Sequence, residues 1–318
     1  MGQIAMPTRQ EILAAKARIE DIVHRTPVLK STLVNRIAGA KLYFKCENFQ
    51  KVGAFKYRGA TNAVLQLRDT QRQRGVATHS SGNHAQALAL AARINKVKAY
   101  IVMPTNAPRV KSDAVKDYGA EIIWCEPTLE AREATLEEVV ARTGAAIIHP
   151  YDNHEVICGQ STAVQELLDE VNDLDIIITP VGGGGLLSGS ALAVKYLSPA
   201  IKVFGAEPEG AADAHESFKS GEFIPVKNPD TIADGLRTSL SQRTLKIILE
   251  NVEDILLVND QEILTAMHLI WERLKIVIEP SSAVTLAAVL RNKQLFSDKK
   301  VGLILSGGNV DLKKLKFK

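Results

Sequence analysis

The hydrophobic and polar positions of this 318-residue chain alternate between short apolar runs and longer amphipathic stretches. This alternation is typical of a parallel sheet covered by helices on both faces. The apolar runs predict strands at 42–46, 76–79, 99–103, 121–125, 146–149, 176–180, 203–207, 254–258 and 301–305. The amphipathic stretches predict helices near 9–24, 57–72, 84–95, 108–118, 128–142, 159–172, 186–197, 260–274 and 281–291. We therefore expect an α/β fold with an open, twisted, mostly parallel sheet, whose ligands bind beyond the carboxyl ends of the strands.

The domain organisation follows from a compact βαβ series between about Gly75 and Ile148. Stretches with reactive side chains flank this series on both sides. We expect a smaller, substrate-closing α/β domain (74–148) inserted into a larger cofactor-binding domain (1–73 and 149–318).

Charge and composition exclude several classes of partner. The 39 Lys and Arg residues nearly balance the 36 Asp and Glu residues, and no basic stripe suggests nucleic-acid binding. The amino terminus has no leader pattern, and no apolar run approaches the roughly 20 residues of a membrane span. The scattered Cys46, Cys125 and Cys158 have no metal-site spacing and suit a reducing compartment. We expect a cytoplasmic protein without nucleic-acid or membrane partners.

The most informative motif is the glycine run Gly182–Gly185, which follows the apolar strand 176–180 and leads into a helix. Bare backbone at a helix start offers unpaired N–H groups and the positive end of the helix dipole. Flexible linkers have polar flanks, whereas this run lies between buried-looking segments. The run therefore predicts a phosphate-binding cradle.

Lys56 is the candidate nucleophile, in the segment Gly53-Ala54-Phe55-Lys56-Tyr57-Arg58-Gly59. An amine between Phe55 and apolar neighbours is partly desolvated, which favours the neutral form that condenses with an aldehyde. The alternative is a surface lysine at the start of a helix. Position alone does not separate the two.

Two polar turns follow predicted strands. Ser80-Ser81-Gly82-Asn83-His84 follows the strand 76–79, and its hydroxyls and amide could meet a ring substituent and a carboxylate. A plain helix cap explains the same residues. Ser306-Gly307-Gly308-Asn309 follows the strand 301–305, where Ser306 could offer a hydroxyl to a ring nitrogen. The alternative there is a simple glycine turn.

Together these four motifs closely resemble those of the fold type II (β-family) pyridoxal-phosphate enzymes, and within them the serine racemase and serine/threonine dehydratase group. The resemblance extends from Thr26-Pro27-Val28 through Thr231-Ile232-Ala233-Asp234-Gly235 to the carboxyl end. It implies a Schiff base between Lys56 and the cofactor. It also implies that Phe55 and Asn83 contact the ring and its 3-hydroxyl, Ser306 the pyridine nitrogen, and Gly235 the ring environment. The phosphate would lie on Gly182, Gly183, Gly184 and Gly185, and the substrate carboxylate on the turn formed by Ser80, Ser81, Gly82, Asn83 and His84.

The resemblance also implies the reaction. Lys56 would remove the Cα proton on one face, and a β-hydroxyl could then leave, which is dehydration. Racemisation needs a second proton donor on the opposite face, which serine racemases imply to be Ser81. Threonine dehydratases commonly have Ala there, so Ser81 favours a serine racemase that also eliminates water from serine. A non-catalytic phosphate-binding protein would leave Lys56 and Ser306 unexplained.

A divalent metal site is expected in the segment Glu207–Asp213. Glu207 and Asp213, with the carbonyl of Ala211, could converge on Mg²⁺ or on Ca²⁺ or Mn²⁺, because hard ions prefer oxygen ligands. An acidic junction between a strand and a helix is the alternative. The resemblance to cation-activated serine racemases and hydroxyaspartate dehydratases favours the metal.

The substrate stays open because the chain departs from the racemase pattern. Its His149-Pro150-Tyr151-Asp152 segment is closer to dehydratases and fungal relatives. Arg132 could bind the second carboxylate of threo-3-hydroxyaspartate, or it could be a solvated helix residue that pairs with a nearby Glu. Threo-3-hydroxyaspartate dehydratase and catabolic threonine or serine dehydratase are therefore alternatives.

The resemblance further implies a homodimer. An ATP effector would bind near the subunit interface, at Ser31, Thr32, Lys51 and Gln86.

Overall fold

The computed structural model describes residues 5–107 and 109–311 and contains two sheets with helices around them. The strands are β1 (Val28–Leu29), β2 (Lys41–Cys46), β3 (Val76–His79), β4 (Ala99–Pro104), β5 (Glu121–Cys125), β6 (Ala146–Ile147), β7 (Ile176–Pro180), β8 (Lys202–Pro208), β9 (Asp254–Val258) and β10 (Lys300–Leu305). The helices are α1 (Arg9–Ile19), α2 (Thr32–Ala38), α3 (Lys56–Leu65), α4 (Asp69–Arg74), α5 (Asn83–Ile94), α6 (Arg109–Asp117), α7 (Leu129–Thr143), α8 (His154–Glu170), α9 (Gly185–Leu197), α10 (Asp213–Ser220), α11 (Gln242–Asn251), α12 (Asp260–Leu274), α13 (Pro280–Arg291) and α14 (Lys293–Phe296).

The larger sheet has the strand order β1-β2-β10-β7-β8-β9, and the smaller one β5-β4-β3-β6. Apart from β1, which pairs antiparallel with β2, every strand pair is parallel. The smaller sheet lies within the expected inserted segment 74–148. The α/β fold with helices on both faces is confirmed, whereas the domain limits themselves stay a prediction.

Each sheet has a hydrophobic core on both faces. One face of the larger sheet packs on α12 and α13, through residues such as Ile270, Val284 and Leu303. The other face packs on α8 and α9, through Leu167, Leu187 and Ile304. Parallel strands covered on both sides bury nearly every position, which explains the continuous apolar runs in the sequence.

The predicted elements need several corrections. Residues 57–72 form two helices, because Arg68 is extended and its N–H bonds to the Gln71 side chain, which starts a new helix. Helix α1 ends at Ile19, and α8 starts at His154, where Asn153 caps it through the N–H of Val156. The start of the predicted helix 108–118 lies partly outside the described residues. The elements β1, α2, α10, α11 and α14 were not predicted.

Candidate active site

The glycine run forms a bare turn between β7 and α9. Gly184 has φ +82°, a left-handed conformation that favours glycine. A Cβ on Gly183 would overlap the Tyr151 ring, and one on Gly182 would lie 2.9 Å from Cα of Leu236. The close approach of neighbouring segments therefore requires glycine here, and it leaves the first N–H groups of α9 for an anion.

Lys56 is the first residue of α3, and its side chain reaches Pro150, next to the Tyr151 that packs on the glycine run. Its Nζ donates a hydrogen bond to the carbonyl of Pro150 at 2.9 Å and lies 5.1 Å from the centre of the Phe55 ring. Burial lowers the pKa of the Lys56 amine to about 8, although nearby Glu279 opposes the change. About a tenth of the amine is therefore neutral near pH 7, far more than for an ordinary lysine, and the neutral form is the nucleophile.

The expected ring contacts converge beside Lys56. The N–H of Phe55 donates to the carbonyl of Ser306 at 3.0 Å. The Ser306 hydroxyl is buried, 3.1 Å from the hydroxyl of Ser282. The N–H of Gly235 donates to Ser281 at 3.1 Å, and the Gly235 carbonyl lies 3.4 Å from the ideal Cβ position of Gly182. Five separate chain segments, around Phe55, Gly182, Gly235, Ser281 and Ser306, thus meet beside Lys56.

Asn83 is the first residue of α5 and contacts the start of α13 and the turn after β10. Its Nδ2 donates to both carboxylate oxygens of Glu279, at 3.0 and 3.2 Å, and its Oδ1 accepts from Asn309 at 2.9 Å. Burial, and then the charge of Asp234, raises the pKa of Glu279 to about 7. The structure gives Asn83 two side-chain partners, Glu279 and Asn309, and its contact with a cofactor ring stays a prediction.

The turn before α5 is suited to an anion. Gly82 is the N-cap residue and provides no side-chain cap, and a Cβ there would meet nothing within 4 Å. Ser80 accepts from the N–H of Gly82 at 3.3 Å, and Ser81 is half-buried beside it. The N–H groups at the start of α5 have no side-chain cap, so a carboxylate could bind them.

The imidazole of His84 has a structural role. It is buried, and its Nε2 donates to the carbonyl of Ile148 at 2.9 Å. Burial, followed by the charge of Lys56, lowers the pKa of His84 to about 3, so the ring is neutral. His84 can contribute to a carboxylate site through its backbone N–H rather than its ring.

Arg132 lies on α7, close to the end of β3. Burial lowers the pKa of His79, and the charge of Arg132 lowers it further. The Nε of Arg132 is buried without a hydrogen bond, and no carboxylate within the described ranges forms a salt bridge with the Arg132 guanidinium. The pairing of Arg132 with a nearby Glu, which the sequence left open, is absent here.

Glu207 and Asp213 form a buried acidic pair. Glu207 accepts from the N–H groups of Ala214 and His215 at 2.9 and 2.8 Å. Neither Asp213 oxygen accepts a well-formed hydrogen bond from a described residue. The backbone N–H groups of Asp213 and Leu240 lie close enough only to lower the pKa of this carboxyl group in part. Burial raises the pKa of Asp213 to about 7, and burial together with Asp213 raises that of Glu207.

A divalent cation at these carboxyl groups stays a prediction, and their oxygens are of the kind that such an ion prefers. Ala211 is buried in the turn between the two carboxylates, which leaves its carbonyl as the expected third oxygen ligand. In the part of the chain that the structure describes, no group of three or more His, Cys, Asp or Glu side chains forms a metal site. The orphaned oxygens of Asp213 are the feature that a hard ion would satisfy.

The four residues expected to bind ATP lie on three elements. Ser31 caps α2 through the N–H of Val34 at 3.4 Å, and Thr32 begins that helix. The turn with Lys51 packs against α5, which carries Gln86. Lys51 and Gln86 thus belong to neighbouring elements, and their relation to Ser31 and Thr32 stays a prediction.

Several residues that contact the candidate site residues were not predicted from the sequence. Tyr151 packs on Gly183 and Gly185, Glu279 and Asn309 hold Asn83, and Ser282 bonds to Ser306. Asn309 belongs to the motif after β10, so its position was a usable signal. Glu279 had none, because a Glu before the Pro of a helix start reads as an ordinary cap.

Comparisons with known proteins agree with this geometry. Residues 19–307 match the family model described as "Pyridoxal-phosphate dependent enzyme". The chain is 52% identical to a serine racemase of Dictyostelium discoideum, over 98% of both chains. It is 49% identical to a beta-hydroxyaspartate dehydratase of Paracoccus denitrificans, also over 98% of both chains. The crystal structure of the Dictyostelium serine racemase superposes with a TM-score of 0.93, covering 97% of this chain and all of that one.

These matches exclude the non-catalytic alternative, because the family consists of enzymes and the match is nearly full-length. In the described ranges, no helix has the length and apolar character to cross a membrane.

Because the family model and the full-length relatives agree, the chain belongs to the fold type II pyridoxal-phosphate enzymes, in the group of serine racemases and hydroxy-amino-acid ammonia-lyases.

Proposed function

We propose that this protein is a serine racemase that also dehydrates serine. The observation that supports the proposal is the buried Lys56 amine of lowered pKa, which lies close enough to the start of α5 to lower the pKa of His84, while Ser81 lies in the turn before that helix. When bound, pyridoxal phosphate withdraws electrons from the amino-bearing carbon of the substrate, which makes the Cα proton acidic.

The remaining steps belong to side chains of this chain. The N–H groups at the start of α5, with Ser80 and Ser81, would hold the substrate carboxylate. Lys56 would take or return the Cα proton on one face, because its pKa near 8 allows both protonation states near neutral pH. Ser81 would do the same on the other face. Ser306 and Asn83 would hold the cofactor ring, and Gly182–Gly185 its phosphate.

Replacing Ser81 tests the two-base scheme. We expect Ser81→Ala to lower L-to-D conversion of serine by about a hundredfold, because one general acid or base is lost. Dehydration of L-serine should change much less. Chiral chromatography measures the first reaction, and oxo-acid formation measures the second.

The neighbouring Ser80→Ala variant is the matched control, since it should raise KM in both reactions without separating them. Equal losses of racemisation and dehydration in Ser81→Ala would contradict the assignment of Ser81 as the second base.

A second candidate function, dehydration of threo-3-hydroxyaspartate, is favoured by the unpaired guanidinium of Arg132. Such a substrate has a second carboxylate, and arginine binds carboxylates in two-point fashion. We expect Arg132→Ala to lower kcat/KM for hydroxyaspartate about a hundredfold, with little change for serine.

Arg142 is exposed on the same helix, so Arg142→Ala is the control and should affect neither substrate. If Arg132→Ala damages serine and hydroxyaspartate turnover alike, Arg132 does not select for the second carboxylate.

The proposal also includes a divalent cation at Glu207, Ala211 and Asp213, a homodimer, and a cytoplasmic location. The cation rests on the orphaned oxygens of Asp213, and the cytoplasm on the three free cysteines. ATP activation at Ser31, Thr32, Lys51 and Gln86 is included only through the family resemblance. Light scattering would test the homodimer, and melting curves with MgATP would test ATP binding.

A further inference from the structure

The side-chain amide of Asn83 is held by one partner on each end. Its Oδ1 accepts from Nδ2 of Asn309 at 2.9 Å, and its Nδ2 donates to Glu279 at 3.0 and 3.2 Å. An amide nitrogen carries two hydrogens about 120° apart, whereas the two oxygens of one carboxylate lie close together, so both Glu279 oxygens share one hydrogen. The second hydrogen of Asn83 is therefore free for another acceptor.

The orientation of this amide is fixed by chemistry. Asn309 also donates through Nδ2 to the carbonyl of Val52 at 2.7 Å, and a carbonyl can only accept. Asn309 must therefore present its NH₂ group on this side. A flipped Asn83 would place its NH₂ against that of Asn309, which is repulsive at any protonation state, and its oxygen against Glu279, which is repulsive whenever that carboxyl group is ionised.

Two glycines make room for these partners. A Cβ on Gly307 would lie 2.9 Å from Oε1 of Glu279, and one on Gly53 would lie 2.8 Å from Oδ1 of Asn309. Glu279 is 4% exposed, and its N–H also bonds to the carbonyl of Gly307 at 3.0 Å. The close packing leaves Glu279 and Asn309 little freedom to release Asn83.

We propose that Glu279 and Asn309 are positioning residues, which make Asn83 present an N–H donor, and not its oxygen, to the ring oxygen of bound pyridoxal phosphate. The proposal rests on the assignment of Asn83 to that ring oxygen under the proposed function. A donor there stabilises the ionised ring oxygen over the protonated one. Asn83 belongs to the segment of the smaller sheet, whereas Glu279 and Asn309 belong to the segment of the larger sheet. These hydrogen bonds therefore also connect the two segments.

The test uses the full-length protein without any substrate. Two quantities are measured: the Kd for pyridoxal phosphate, and the ratio of its visible absorption band (ionised ring oxygen) to its near-ultraviolet band (protonated ring oxygen). We expect Glu279→Leu to weaken cofactor binding about tenfold, as for one lost hydrogen bond to a charged group, and to shift absorbance toward the near-ultraviolet band. Glu279→Gln keeps an accepting oxygen and should stay within about twofold of the unmodified protein.

Asn309→Asp provides an independent variant if Glu279→Leu fails to fold, as judged by circular dichroism. A carboxylate at residue 309 would repel the Oδ1 of Asn83, so the same spectral shift is expected. The exposed Glu222→Leu is the matched control and should change neither quantity.

Unchanged spectra and affinity in Glu279→Leu and Asn309→Asp would overturn the proposal. So would a loss in Glu279→Gln as large as in Glu279→Leu, since a negative charge rather than an accepting oxygen would then be required. Because no substrate is present, a protein that shows the shift but does not racemise serine would refute the proposed function alone.

Discussion

Two pairs of buried carboxyl groups in this protein differ in whether a cationic side chain compensates their charge. Glu47 and Glu166 lie on either side of the guanidinium of Arg58, whereas Glu207 and Asp213 have no cationic partner among the described residues. The contrast separates buried carboxylates that have a cationic side chain of this protein as a counter-ion from those that need a proton or a bound ion.

The balanced cluster surrounds Arg58, two residues after Lys56 on α3. Arg58 donates to Glu47 and Glu166 at 2.6 to 2.8 Å through Nε, Nη1 and Nη2, and Lys45 donates to Glu166 at 2.6 Å. Burial acts to raise the pKa of Glu166, but hydrogen bonds and charge from Arg58, and then Lys45, lower it. The cluster fixes α3, and with it the lysine of the pocket, against β2 and α8.

The acidic pair lacks such compensation. Its only partners in the described ranges are backbone N–H groups, and the pKa values of both carboxyl groups are raised. A carboxylate with a built-in counter-ion has a structural role, whereas an uncompensated pair is typical of ligand or metal sites.

The largest expected effect comes from breaking the balanced cluster. Arg58→Met leaves Glu47 and Glu166 buried with Lys45 as their one remaining cation in the described ranges, and we expect a loss of about 3–5 kcal/mol in the free energy of unfolding. Urea denaturation measures this loss. Lys202→Met removes an exposed pair with Glu253 and should cost less than about 1 kcal/mol. A similar small cost for Arg58→Met would remove the distinction between the two clusters.

The second prediction concerns pH and Mg²⁺ at the acidic pair. The pKa of Asp213 rises from an ordinary value of 3.8 to about 7 on folding, so the folded state binds its proton more tightly. Without metal, stability should therefore fall as pH increases from about 4 to about 7, by at most about 4 kcal/mol. Mg²⁺ binds the ionised form and should restore stability near pH 7.

The measurement compares unfolding free energies of the unmodified protein and Asp213→Asn, with chelator and with Mg²⁺. Asp213→Asn should remove much of the pH dependence and most of the Mg²⁺ response, which cancels contributions from other titrating groups. An equal Mg²⁺ response in both proteins would place the cation elsewhere.

The same contrast explains what the sequence could predict. Every predicted strand exists, because strands buried on both faces leave continuous apolar runs, and the glycine run was readable because only glycine fits between Tyr151 and Leu236. Arg58 was missed as a buried residue, since its partners Glu47 and Glu166 lie 11 and 108 residues away. Local pattern does not encode such pairings.

Some misses were avoidable. Helix α11 begins after the capping residue Ser241 and buries Leu245 and Ile248 at helical spacing, which is a usable signal. The partners Glu279 and Ser282 were not readable, because they become part of the site only when the turn after β10 packs on the start of α13.

The smallest expected effect is at the rim of the acidic pair, where Arg291 bonds to Glu209 at 2.5 Å and Glu262 at 3.2 Å. Glu209 lies in the same turn as Ala211, but its side chain is 43% exposed, so solvent weakens the salt bridge. We expect Arg291→Ala to cost less than about 1 kcal/mol and to leave the Mg²⁺ response intact. If it instead strengthens Mg²⁺ binding by several fold, the freed Glu209 is a metal ligand, and the site extends beyond Glu207 and Asp213. Titration calorimetry with Mg²⁺ on Arg291→Ala and on the double variant with Glu209→Gln distinguishes these outcomes, because only a ligating Glu209 would make the gain disappear in the double variant.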